Sequence, residues 1–210
     1  TVYLYGSRSV FEQGLVADGR LSALRAAELS GFAVGVGKRR QLLLQDDGGP
    51  PDTREWLRLV AHELTHVAQI ELAQGEGRAE QWLSEGMAEW AAFIVLERVG
   101  LDTLAERRAA ALGIVSEQVS LREARLDLDS LGTPRGFTAR HLREGSLPTY
   151  QLAFLMTDYL INRHGFARLV DYYRGFAVGR ERYENFQHAF GQTLDAFEAE
   201  MLAHLGRVLR

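Results

Sequence analysis

His62-Glu63-Leu64-Thr65-His66 and, after eighteen intervening residues, Glu85 within Trp82-Leu83-Ser84-Glu85-Gly86-Met87-Ala88-Glu89-Trp90 decide how this chain is read. Asp52 and Glu55 have the spacing of a capping box, so a helix is expected from about Thr53 to Ala73, stopping at Gly75. A second is expected from about Glu80 to Val99, with Gly100 as its stop. Residues i and i+4 share a helix face. Both imidazoles can therefore reach one ion about 2 Å from each nitrogen. Glu63 lies one residue round from His62, a placement that suits a base acting on water activated by the ion. In the second helix, Glu85 and Glu89 are carboxylates at i and i+4 among apolar neighbours. Burying a carboxylate costs several kcal/mol unless it is paired or bound to a metal. The interval lets one helix end, turn at Gly75 to Gly77 and a second pack alongside. Glu85 then supplies a third ligand and leaves a fourth position open. Glu89, one turn on, can accept the outer N–H of a ligand imidazole; its plain alternative is an ordinary surface acid.

Working outward, Val2 to Tyr5 are β-prone, and the first part as a whole reads as strands and turns. A helical pattern covers Leu21 to Leu29 and ends at Ser30-Gly31. Phe32 to Gln45 reads as a hairpin or two strands, with Phe32, Val34 and Val36 alternating with Ala33, Gly35 and Gly37. Lys38-Arg39-Arg40 is its charged turn, and Asp46 to Pro51 is turn chemistry. After the two metal-motif helices comes a piece from Thr103 to Leu112. Residues 113 to 147 read as mixed, with Gly132, Pro134, Gly136 and Gly145 marking loops. Helices resume at about Pro148 to Arg163, Phe166 to Tyr173, Tyr183 to Phe190 and Leu194 to Leu209. The expected class is α+β. A small N-terminal mixed sheet precedes a mostly helical remainder, in one domain spanning 1–210 with lobes of about 1–75 and 76–210.

The 210 residues are 46% apolar and 25% charged, enough for a proper globular core. With 24 basic and 28 acidic residues the net charge is −4. Without a basic block, the chain is a poor candidate for binding a phosphate backbone, so no nucleic-acid partner is expected. Cysteine is absent, so metal ligands must come from His, Asp or Glu. No apolar run reaches the roughly 18 residues of a membrane span. The longest, Trp90 to Val99, is interrupted by Glu97 and Arg98. The chain opens at Thr1 rather than Met and is read as a processed or trimmed product. Its compartment stays open, extracytoplasmic or membrane-tethered placement included, as does its oligomeric state.

These residues resemble the gluzincin metallopeptidases. Aminopeptidase N-type enzymes carry a similar Trp-Leu-Asn-Glu-Gly-Phe-Ala block at the same spacing, and thermolysin is a more distant relative. The small peptidase MA-like domains share His62-Glu63-Leu64-Thr65-His66-Val67 followed by Trp82-Leu83-Ser84-Glu85-Gly86-x-Ala88-Glu89-Trp90. The resemblance implies a zincin-like (thermolysin-like) fold. It also implies Zn2+ held by His62, His66 and Glu85, with Glu63 as the base and Glu89 orienting the first His. Pro148-Thr149-Tyr150-Gln151-Leu152-Ala153 is similar to a family segment that places a Tyr beside the metal. Carried over, Tyr150 hydrogen-bonds the developing oxyanion; otherwise its ring only packs. Asn185 to Leu194 also looks like these domains and reads as structure. The Gly-Ala-Met-Glu-Asn block that binds a free amino terminus in aminopeptidase N-type enzymes is not found. Gly31 to Gly35 stands in its region without a carboxylate, so aminopeptidase specificity is not carried over. An edge strand at Phe32 to Gly37 can still pair with an extended peptide.

The expected activity is zinc-dependent hydrolysis of peptide bonds in a peptide or protein substrate. One alternative is a catalytically silent zinc domain that recognises peptides or serves as structure within a larger protein. Another is a helical interaction protein without metal. His141, His164, His188 and His204 are isolated and read as surface or core-edge histidines, with His141 placed to line the cleft.

Overall fold

β1 (Val2–Tyr5), β2 (Gly35–Lys38) and β3 (Gln41–Gln45) form a three-stranded sheet in the order β1-β3-β2. The computed structural model describes residues 1–31, 33–46 and 53–209. β2 and β3 are antiparallel, with Val36 opposite Leu43, and the turn between them puts Arg40 at φ 57°. β1 runs parallel to β3, Tyr3 opposite Leu43. A parallel partner requires a crossover. Here it contains α1 (Arg8–Ala17), α2 (Ala23–Ser30) and β2 itself. Tyr5, Phe11, Leu15, Ala26 and Leu43 close a small core between these helices and the sheet.

α1 replaces strand and turn where the sequence predicted them. Its sequence holds Val10 and Gly14, both poor helix formers. The helix is nevertheless nucleated by Ser7, whose side chain accepts the Val10 N–H, and it is held by burying Phe11 and Leu15. The hairpin and the helix ending at Ser30 are present, α2 being capped by Ser22. Phe32, most of the Asp46 to Pro51 turn and the Asp52 cap lie outside the described residues, which resume at Thr53.

The remainder is helical. α3 (Thr53–Ala73) and α4 (Gln81–Arg98) are followed by α5 (Leu104–Val115) and two single turns, α6 (Val119–Arg122) and α7 (Leu128–Leu131). Then come α8 (Pro134–Glu144), α9 (Ser146–His164), α10 (Phe166–Ala177), α11 (Arg182–Phe190) and α12 (Leu194–Val208). α8 corrects the looped reading of residues 113 to 147. Thr133 accepts the Gly136 N–H as the helix cap, and Pro134 sits in the first turn. There its missing N–H costs nothing and its fixed φ suits a helix. Of the residues taken as loop markers, Pro134 and Gly136 lie in the first turn of α8, while Gly132 and Gly145 cap the ends of α7 and α8.

α4 is the central helix. Trp82, Leu83, Met87, Ala88, Ala92, Phe93 and Leu96 are all buried, as a helix enclosed by others requires. Trp82 stacks on Phe197 at 5.6 Å between ring centroids and lies 6.3 Å from Phe186. Each such side chain contributes about 1.5–3 kcal/mol by leaving water. The N-terminal end of α4 is fixed by polar bonds. The fully buried Glu80 carboxylate takes both Nε and Nη2 of Arg182, and its N–H donates to the Tyr172 hydroxyl at 2.9 Å. Among the described residues no helix is long and apolar enough to cross a membrane.

α9 lies against α4 through Gly86. A Cβ there would meet the Ala153 carbonyl oxygen and Thr157 Oγ1 at 2.2 Å. Gly86→Ala is expected to cost about 1–3 kcal/mol through this overpacking, read as a lowered denaturation midpoint at constant slope. An unchanged midpoint would mean that the two helices separate freely.

Candidate metal centre

α3 has an inverted burial pattern. Its buried residues are His62, Glu63, Gln69 and Ala73, three of them polar. Side chains of these types stay at the surface unless something satisfies them. α4 brings Glu85 and Glu89 to the same place, with 8% and 3% of their surface exposed. The helices run antiparallel here. Arg58 meets Glu89 near one end, His62 and His66 meet Glu85 in the middle, and Gln69 meets Ser84 near the other.

Three donor atoms converge. His62 Nε2 and His66 Nε2 are 3.1 Å apart, and Glu85 Oε2 lies 3.3 Å from the first and 3.4 Å from the second. Ligands about 2.05 Å from a tetrahedral ion stand about 3.3 Å from one another. The triangle therefore has the size of one face of such a site. His62, His66 and Glu85 could hold a metal ion.

The outer nitrogens have different partners. His62 Nδ1 makes a bent 3.1 Å contact with Glu89 Oε1. His66 Nδ1 is 2.9 Å from Gln69 Oε1, while Gln69 Nε2 donates to the Ser84 carbonyl at 2.9 Å. That second bond settles the amide's orientation. The nitrogen must face a carbonyl, so the oxygen must accept from His66 Nδ1–H, which leaves Nε2 as the lone pair at the triangle. Sequence reasoning missed Gln69. Its signal was present as an i+3 neighbour of His66 on the motif face.

Without metal, the cluster stores protons. Burial lowers the His62 pKa, but Glu85 and Glu89 outweigh it and push the value up to about 10. His66 is also raised, with burial overcome mainly by Glu85. Burial pulls Glu85 up, yet His66 and His62 hold it below the usual carboxylate range.

Glu63 sits apart from the triangle and is 8% exposed. Its Oε2 accepts the Gly37 N–H at 2.7 Å. This bond depends on close approach of β2 to α3. A Cβ on Gly37 would lie 2.4 Å from the Glu63 carbonyl oxygen. Tyr150, from α9, turns its ring to His62 at 6.3 Å between centroids and packs edge-on to Phe137 at 5.3 Å. The nearby Glu85 charge, then burial, raises the phenol pKa, so it stays protonated and able to donate. The ligand triad, Glu63, Tyr150 and β2 line one cleft of about 650 Å3. His141 lines it too and meets Tyr150 edge-on at 6.3 Å. His164 packs on Phe190 and His204 on Tyr159, away from the cleft lining.

Two outcomes follow from this geometry. A metal takes the imidazoles in neutral form, so loading at pH 7 expels protons held below a pKa of about 10 on His62. Calorimetry in two buffers of different ionisation enthalpy should show that release, and none would mean rings already neutral. Gln69→Leu is expected to weaken metal binding about 10- to 100-fold, measured by competition with a chromophoric chelator. Wild-type affinity would remove Gln69 from the centre.

A family model described as the eCIS core domain matches residues 6–74. That span is about a third of the chain. It takes in α1, α2, β2, β3 and α3 with both motif histidines, and it stops before α4. No curated protein and no solved structure matches the chain.

Proposed function

We propose that this chain is a zinc-dependent metallopeptidase of gluzincin type, with a zincin-like catalytic fold. One observation carries the reading: two imidazole nitrogens and a carboxylate oxygen form a triangle with sides of 3.1, 3.3 and 3.4 Å at the floor of a cleft. Two nitrogens and one oxygen in a tetrahedral face suit zinc, and an open fourth corner distinguishes a catalytic site from a closed structural one. Glu63 adds to it, because a purely structural site has no use for a second buried carboxylate in the same cleft.

When bound, zinc supplies Lewis acidity, polarising the scissile carbonyl and acidifying the attacking water. Glu63 takes the proton from that water as the water oxygen bonds to the carbonyl carbon. The Gly37 N–H keeps the Glu63 carboxylate in place for this. The Tyr150 phenol donates to the oxyanion that develops on the former carbonyl, where a preorganised donor has its largest effect. Glu63 then gives its proton to the leaving amine as the C–N bond breaks. β2 is an edge strand of the sheet and borders the cleft, so an extended peptide can add to it by main-chain hydrogen bonds.

Glu63→Gln is expected to retain zinc and lose hydrolysis of a diverse peptide library. Tyr150→Phe is expected to retain zinc and lose on the order of 100- to 1000-fold in turnover. A chelator should abolish wild-type activity, and zinc should restore it. Zinc binding without hydrolysis in the wild type would favour a silent peptide-binding or structural zinc domain. Full activity in Glu63→Gln would remove Glu63 as the base.

A further inference from the structure

Glu89 is held more firmly by Arg58 than by the histidine it faces. Arg58 Nη1 donates to both carboxylate oxygens, at 2.7 and 3.0 Å, whereas the His62 contact is bent. On its other side Arg58 Nε donates to Glu55 at 3.1 Å. Glu55, Arg58 and His62 follow one another along α3 at spacings of three and four, so they share a face. The guanidinium is thus fixed in a frame set by α3, and it sets the carboxylate supplied by α4.

Charge leads to the same residue. A metal-ligating imidazole is neutral. Once His62 binds an ion, Arg58 is the full cation left in direct contact with a carboxylate whose side chain is only 4% exposed. A buried carboxylate without such a partner is costly and tends to move or neutralise. The cluster is also bracketed. Arg58–Glu89 joins α3 to α4 on the His62 side, and Gln69–Ser84 joins them on the His66 side.

We propose that Arg58 is a positioning residue for the metal centre, holding Glu89 so that Glu89 orients His62. The inference rests on reading His62, His66 and Glu85 as a metal site. It adds an outer partner that the motif spacing does not contain.

The test uses the full chain stripped of metal, with Zn2+ alone as the probe. Arg58→Met is expected to weaken zinc binding about 10- to 100-fold and to shift the visible bands of the Co2+-loaded protein. The thermal midpoint should fall less in the metal-free protein than in the zinc-loaded one, because His62 is free to pair with Glu89 only when no metal is bound. Arg58→Lys should recover part of the affinity, since an ammonium restores the charge without the planar donor pair. In a Glu89→Gln background, Arg58→Met should add little further loss, because the two act as one unit. Wild-type zinc affinity and an unshifted Co2+ spectrum in Arg58→Met would overturn the proposal. So would a full extra loss in the double variant, or a lowered metal-free midpoint with unchanged affinity. Should Arg58→Met fail to fold, Arg58→Gln takes its place with the same expected loss, and wild-type affinity there overturns the proposal. Failure of the wild type to bind zinc would sink the metal site itself, a result distinct from zinc binding that ignores Arg58.

Discussion

Antiparallel contact between α3 and α4 is the constraint on which the rest depends. It brings two imidazole nitrogens from one helix and a carboxylate oxygen from the other to within 3.4 Å of one another. Like-charged or lone polar groups would not stay together in a buried place. In the cluster the imidazoles and Glu85 offset one another's burial, raising the pKa of His62 and lowering that of Glu85. The same three donors could hold a metal ion in place of protons.

The scaffold serves this contact from three sides. Behind α4, Gly86 lets α9 approach, and α9 carries Tyr150 into the cleft. Beside α3, Gly37 lets β2 approach closely enough to bond Glu63. At the start of α4, the Glu80–Arg182 pair and the Tyr172 hydroxyl fix where the helix begins, and therefore where Glu85 falls one turn later. The small sheet thus contributes little core, yet it places a backbone N–H on the residue proposed as the base.

The polar groups around the triangle differ in kind. His62 faces a carboxylate backed by a guanidinium, and His66 faces a neutral amide backed by a backbone carbonyl. A carboxylate raises the basicity of its imidazole more than an amide does. The two nitrogen donors are therefore unequal, with the stronger on the Glu89 side. Each chain of contacts crosses to α4, at Glu89 or at Ser84, so a shift of α3 against α4 would disturb both rings.

Local chemistry was legible in the sequence. The spacing of His62, Glu63 and His66 places them on one helix, and the end of α4 follows from its glycine stop at Gly100. By contrast, α3 ends before Gln74, which takes the left-handed turn (φ 52°) that Gly75 was expected to supply. Two acids at i and i+4 among apolar neighbours mark Glu85 and Glu89 as unusual. Where Gly and Pro were taken as loop markers near Thr133, or weak helix formers as strand and turn at α1, the local signal was real but tertiary burial and capping outweighed it. The tertiary structure alone decided the parallel β1–β3 pairing, the Gly37 bond to Glu63, the contacts of Gln69 and Arg58, and the entry of Tyr150 into the cleft. Each of those joins groups from different elements, or depends on which face of a helix meets its neighbour. Sequence spacing fixes distance along a helix, whereas only packing fixes distance between helices.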